Sequence, residues 1–238
     1  MALPKLTSAT FNATLPYTEM DIEFRPFLVK EEKALLIAME SEEQSQMISV
    51  MRDIINNCVI TTGFDIAKIP FFEAEYLFLH LRAKSVGEIS KLEYRHTDGI
   101  NYAGEQCDHI TEININLEEV KIDGLENIKT DFDLTDSLKL KLKYPSMLDV
   151  TQLEEGDKVS EIRLLSKAID YAFDDNEIYE ADTDEEKVQF IESMNAKQLE
   201  NISNFFVNMP RLKHTINYTC KGCGQEDTVV LEGLADFF

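Results

Sequence analysis

The chain has 238 residues, 44% of them hydrophobic, with 14 Phe and 8 Tyr; this composition excludes a disordered polypeptide and suits one or two packed domains. Its 45 acidic residues against 23 basic ones give a formal charge of −22, a field that repels nucleic acid and anionic membranes and favours basic protein partners. Four cysteines make no disulfide framework, no apolar run reaches the roughly 18–20 residues of a bilayer span, and Met1–Leu6 lacks a signal-peptide core, so synthesis in the cytosol is expected.

Residues 1–29 read as an extended arm with short strands, marked by Pro4, Pro16 and Pro26. Pro26 fixes its own φ and biases Arg25 towards extended backbone, so Phe24 to Val29 reads as a strand end. Lys30–Glu40 is then a run of strong helix formers. Ser41-Glu42-Glu43-Gln44 fits a capping box, which predicts a second helix over about Glu42 to Cys58. That helix places Met47, Val50, Met51, Ile54 and Cys58 on one apolar stripe, making Cys58 a buried thiol. Pro70 opens a third helix whose Phe71, Phe72, Tyr76, Leu77, Phe78, Leu79 and Leu81 surround most of its barrel. Such a helix is central to the core or half covered by a partner, and His80 reads as a core or boundary histidine.

The middle alternates as half-exposed strands over Glu88–Tyr94, Glu112–Val120 and Ser137–Tyr144. Ile113, Ile115 and Leu117 share one face. Leu138, Leu140 and Leu142 oppose Lys139, Lys141 and Lys143, a lysine face either solvated or docked on acidic elements. Further on, Val159, Ile162, Leu165, Ile169 and Phe173 form a helical stripe. Thr183-Asp184-Glu185-Glu186 makes a capping box, and Asn195 caps a helix over Ala196–Val207 that Pro210 ends. Leu212–Tyr218 and Thr228–Leu231 read as a hairpin. The fold class is therefore α+β: an N-terminal extended arm and helices, central antiparallel strands, and C-terminal helices ending in a β-hairpin with a Cys-x-x-Cys tip. The chain divides into residues 1–150 and 151–238, and one composite domain is the simplest organisation.

Cys220-Lys221-Gly222-Cys223-Gly224 at the hairpin tip has the form of a zinc knuckle, with two residues between the thiols so that both thiolates reach one ion. Zinc takes four ligands. Cys107 with either His109 or His96 would complete the set and join the β region to the hairpin. An iron–sulfur cluster would need thiols from symmetry-related chains, and reduced cysteines in a plain turn are the simplest alternative. Catalytic motifs are missing: there is no Gly-Lys-Ser/Thr phosphate loop, no Gly-x-Ser-x-Gly elbow and no His-Glu-x-x-His. The acidic run from Asp174 to Asp184 lacks the spaced ligands of a calcium hand. The chain ends on Phe237 and Phe238, which dock either in its own core or in a partner. Phe71, Phe78, Phe237 and Phe238 are the candidate interface anchors.

Phe24 to Ser41, Gly63 to Ile66, Pro70 to Glu88, Ile113 to Leu117, Leu138 to Pro145 and Cys220 to Phe238 together resemble the base plate protein family of T-even-like contractile-tailed phages. The resemblance implies a structural, non-enzymatic component of the central hub of the base plate or of its assembly. It implies other tail and base plate proteins as partners, oligomeric assembly, and a path from the host cytoplasm to the tail of the virion. The alternative is a zinc-knuckle-stabilised adaptor or regulatory module in the cytoplasm.

Overall fold

A computed structural model of the chain describes residues 8–41, 43–151 and 158–237. The N-terminal arm is a hairpin of β1 (Phe11–Thr14) and β2 (Asp21–Phe24), with Phe11 opposite Phe24. Pro26 breaks the ladder, and α1 (Val29–Ser41) follows. Ser41 closes α1, its hydroxyl donating to the Ala38 carbonyl. Helix α2 (Gln44–Cys58) starts after Glu43 without a side-chain cap, so the capping box expected at Ser41 is not what starts it. The α2 stripe packs inward as its spacing requires, with Met51, Ile54 and Cys58 buried.

Helix α3 (Phe71–Val86) is the axis of the molecule. It packs against β1, α2 and strands from later in the chain, which explains why apolar side chains run nearly all round it. Phe72, Leu77, Phe78, Leu79 and Leu81 are fully buried, each contributing about 1.5–3 kcal/mol of transfer free energy. Glu73 and Glu75, on the same helix, are buried with them. Edge-on ring contacts radiate from it: Phe72 meets Tyr17 at 5.7 Å and Tyr144 at 5.3 Å, and Tyr144 stacks on Phe205 at 4.8 Å. Part of the aromatic content thus forms a chain of rings joining the arm to the C-terminal helices.

Four antiparallel sheets surround this axis among the described residues. Strands β3 (Ile89–His96) and β4 (His109–Asn116) form a hairpin with Ile113, Ile115 and the following Leu117 facing the core. A second sheet holds β5 (Lys121–Asp123), β10 (Arg211–Thr219) and β11 (Glu226–Glu232). The third joins β6 (Asp131–Asp133), β7 (Lys139–Leu142), β8 (Ile169–Phe173) and β9 (Ile178–Tyr179) in that order. In it Lys141 lies opposite Asp131 at 2.8 Å and Lys139 opposite Asp133 at 3.9 Å, so the lysine face meets the protein's own acidic strand.

A further expected element is corrected. The helical stripe from Ile162 to Phe173 splits into α5 (Lys158–Ala168), preceded by α4 (Met147–Thr151), and strand β8. Ile169, Tyr171 and Phe173 are β-branched or aromatic and satisfy a period of two as well as a helical one; pairing with β7 decides between them. Val159 lies among residues whose side chains are not described. The later signals act where they were placed. Thr183 accepts the Glu186 N–H at the start of α6 (Asp184–Glu192), and Asn195 and Gln198 form a reciprocal capping box on α7 (Ala196–Val207).

Candidate metal centre

Two hairpin ends meet at the far side of the β3–β4 pair. In the first, residues 97–108 fold back on themselves around Asn101, whose Oδ1 accepts the N–H groups of Ala103 and Glu105. The Cys107 N–H donates to the Gly99 carbonyl at 3.0 Å, which fixes Cys107 beside the end of β3. The second is the turn between β10 and β11. There the Cys220 N–H donates to Gln225 O and the Gly224 N–H to Cys220 O, folding Cys220 and Cys223 onto the same side. Gly224 takes φ +74°, a left-handed conformation that glycine adopts without strain. Gly222 is required by proximity: a Cβ there would stand 2.5 Å from His109 Cβ and 3.3 Å from Cys107 Sγ.

The result is a cluster of His96, Cys107, Cys220 and Cys223, whose ligand atoms all lie within 4.8 Å of one another. His96, Cys107 and Cys220 are buried and Cys223 is half-buried. Cys107 Sγ and Cys220 Sγ are 3.7 Å apart, and Cys223 Sγ is 3.5 Å from His96 Nδ1. The other ring nitrogen, Nε2, faces Asp227 Oδ2 at 3.7 Å, and Tyr218 donates its hydroxyl to that same oxygen at 3.1 Å.

Backbone dipoles aim at the sulfurs. Burial by itself raises the Cys220 thiol, but the N–H groups of Gly222 and Cys223 point at its Sγ and bring it below its ordinary range. The Cys107 thiol is pushed up by burial, against an N–H from His109. Cys58 differs: it is buried in the core, where desolvation pushes its thiol up to about 11. It belongs to packing.

Of the sequence candidates, Cys107, Cys220, Cys223 and His96 converge. His109 lies directly across the ladder from His96 but packs over Gly222, outside the cluster. Asp227 and Tyr218 carried no signal in the sequence, since an acid and a tyrosine on a hairpin strand are ordinary there. The acidic run is engaged elsewhere: Asp174 accepts the N–H groups of Asn176 and Glu177 and the Tyr179 hydroxyl, and Asp184 pairs with Lys167. His80 stands edge-on to Tyr76 at 4.4 Å, and burial lowers its pKa. The interface anchors need correction. Phe78 and Phe237 are fully enclosed and offer no surface, Phe71 packs partly buried against the core, and Phe238 lies outside the described residues.

The fold is that of an α+β protein in which two hairpin ends bring three thiols and an imidazole close together. Among the described residues no helix is long and apolar enough to cross a membrane. The chain belongs to the T4 bacteriophage base plate protein family, whose family model matches residues 8–238. No curated protein and no solved structure gives a significant match. Membership makes it a structural protein of the phage base plate, placed in the virion tail with other tail proteins as partners.

Proposed function

We propose that this chain is a component of the base plate hub, or of the machinery that assembles it, and that it acts by binding other tail proteins without a chemical step. The observation that carries this reading is the family match across residues 8–238, essentially the whole chain. The fold is consistent with it. Two buried carboxylates of α3 are tied to backbone, Glu73 to the N–H groups of Tyr17 and Thr18 and Glu75 to that of Leu234. Exposed aliphatic groups instead gather on α1, where Val29 is 79%, Leu36 53% and Ile37 50% exposed. A surface of −22 with such groups suits a partner whose matching face is basic and apolar, steered by long-range attraction and held by short-range packing.

Co-expression with the hub and spike proteins of the same phage, followed by size-exclusion chromatography at physiological salt, tests this. A stable complex that is weakened by Leu36→Asp together with Ile37→Asp is expected. A chain that elutes alone with every hub protein overturns the reading.

A further inference from the structure

We infer that His96 Nδ1, Cys107, Cys220 and Cys223 form a closed, structural zinc site that clips the 97–108 loop to the β10–β11 turn, with Asp227 orienting the histidine. The inference does not depend on the base plate reading. It rests first on distances. A tetrahedral zinc with Zn–S of about 2.3 Å and Zn–N of about 2.0–2.1 Å places two thiolates about 3.8 Å apart and a thiolate and imidazole about 3.6 Å apart. The corresponding separations here are 3.7 Å and 3.5 Å. All four ligand atoms fit within 4.8 Å, which leaves room for one ion and none for the several irons and bridging sulfides of a cluster.

The surroundings supply a second, independent line. Two buried sulfurs, one half-buried sulfur and a buried imidazole converge on one point, a soft donor set of the kind that zinc selects. The turn is also folded for it: the Cys220 N–H donates to the Gln225 carbonyl and the Gly224 N–H to the Cys220 carbonyl, which brings Cys220 and Cys223 to one side facing Cys107 and His96. Nε2 of His96 lies 3.7 Å from Asp227 Oδ2, the oxygen that the Tyr218 hydroxyl holds at 3.1 Å, so that a small shift on metal binding brings the pair to hydrogen-bond distance. A metal-bound histidine donates its free ring N–H to such a carboxylate, and this fixes the tautomer with Nδ1 bare towards the ion. His109 lies outside the cluster and is not a ligand.

The site has four protein ligands and no open position, so the ion holds structure and has no vacant place for substrate. What it holds is specific. The 97–108 loop carries Ile100 and Tyr102, 62% and 80% exposed, and little apolar packing of its own.

The test uses the full chain, purified without chelator from medium containing zinc. Metal analysis should return one zinc ion per chain. Exchange for cobalt(II) should give the d–d bands of a tetrahedral site with thiolate charge-transfer absorption. His96→Ala should abolish those bands and His109→Ala should keep them. Asp227→Asn should retain the cobalt spectrum while weakening zinc binding by about 10–100-fold. Zinc-free protein that also gives no tetrahedral cobalt spectrum overturns the site, as does iron absorption with acid-labile sulfide. The wild-type spectrum stands even where a cysteine variant fails to fold. Loss of the bands in His109→Ala instead of His96→Ala overturns the ligand assignment.

Discussion

Glu75 Oε1 accepts the backbone N–H of Leu234 at 3.0 Å, a bond that ties the central helix to a turn 159 residues later in the chain. Two positions earlier on the same helix, Glu73 Oε1 accepts the N–H groups of Tyr17 at 2.6 Å and Thr18 at 2.9 Å. One helix therefore fastens both the N-terminal arm and the C-terminal 3₁₀ turn (Leu234–Phe237) with carboxylates that its core position keeps from water. Ser90 adds a third tie, its hydroxyl donating to the Phe237 carbonyl at 3.1 Å.

Burial pushes the Glu75 carboxyl up to about 7, and its single backbone hydrogen bond offsets only part of that. The unfolded chain releases this proton near the ordinary glutamate value, so between there and about pH 7 the folded state binds the extra proton. Stability contributed by this group is thus present at low pH and is lost as pH rises through that window. The expected loss is about 3 kcal/mol at one pKa unit per 1.36 kcal/mol. Glu75→Gln keeps an acceptor for Leu234 without a titrating proton. Chemical denaturation from pH 4.5 to 8 should show a flatter profile for the variant; an identical slope would remove Glu75 as its source.

Glu73 is fully buried, and its Oε2 has no hydrogen-bond partner among the described residues. Its work is done through Oε1 on two donors. Glu73→Ala strands both N–H groups and opens a cavity, and a loss of about 3–5 kcal/mol is expected, with protease cleavage near residues 14–20 appearing before global unfolding. Glu73→Gln keeps one acceptor and should lose about half as much. Equal losses in the two variants would mean that packing, and not the two hydrogen bonds, sets the cost.

Two helix starts marked by capping chemistry, at Thr183 and Asn195, were legible in the sequence, whereas the box read at Ser41 is not what starts α2. Thr183 and Asn195 sit at the N-caps where their spacing to Glu186 and Gln198 places them. The Cys-x-x-Cys tip was legible too, because turn residues and thiol spacing are local properties. Other features depend on partners distant in the chain. Strands β5, β6 and β9 span three residues or fewer, too short for a period, and exist because a longer neighbour supplies the ladder. Ile169 to Phe173 fits either period, and only β7 settles it. Glu73 and Glu75 look like solvent-facing charges in a helix until their backbone donors arrive from both chain ends. His96 and His109 face each other across one ladder, so separation along the chain could not choose between them.

The Asn195 box offers a local check on α7. Asn195 Oδ1 accepts the N–H groups of Lys197 and Gln198, while Gln198 Oε1 accepts the Asn195 N–H. Gln198 also donates to the Leu134 carbonyl at 2.7 Å, coupling the cap to the loop after β6. Asn195→Ala should cost about 1 kcal/mol, and Gln198→Ala more than that because it also frees a carbonyl on another element. Equilibrium unfolding of the two variants and their double resolves this. Strict additivity would show that the two side chains do not act as one box.

Removing metal should act locally before it acts globally. Loops 97–108 and 220–225 are joined by close backbone approaches, with Gly222 against His109 and Gly224 against the Tyr102 hydroxyl, and by few buried apolar groups. Helix α3 has its own aromatic and aliphatic packing. Chelation of the zinc-loaded full chain should therefore speed hydrogen exchange in those two loops by orders of magnitude while α3 amides keep their protection. Gly222→Ala should mimic part of this with metal still supplied, because the added Cβ drives His109 and Cys107 away from the turn. If chelation leaves loop exchange unchanged, the two hairpin ends are held by their own packing and the ion contributes nothing to their union.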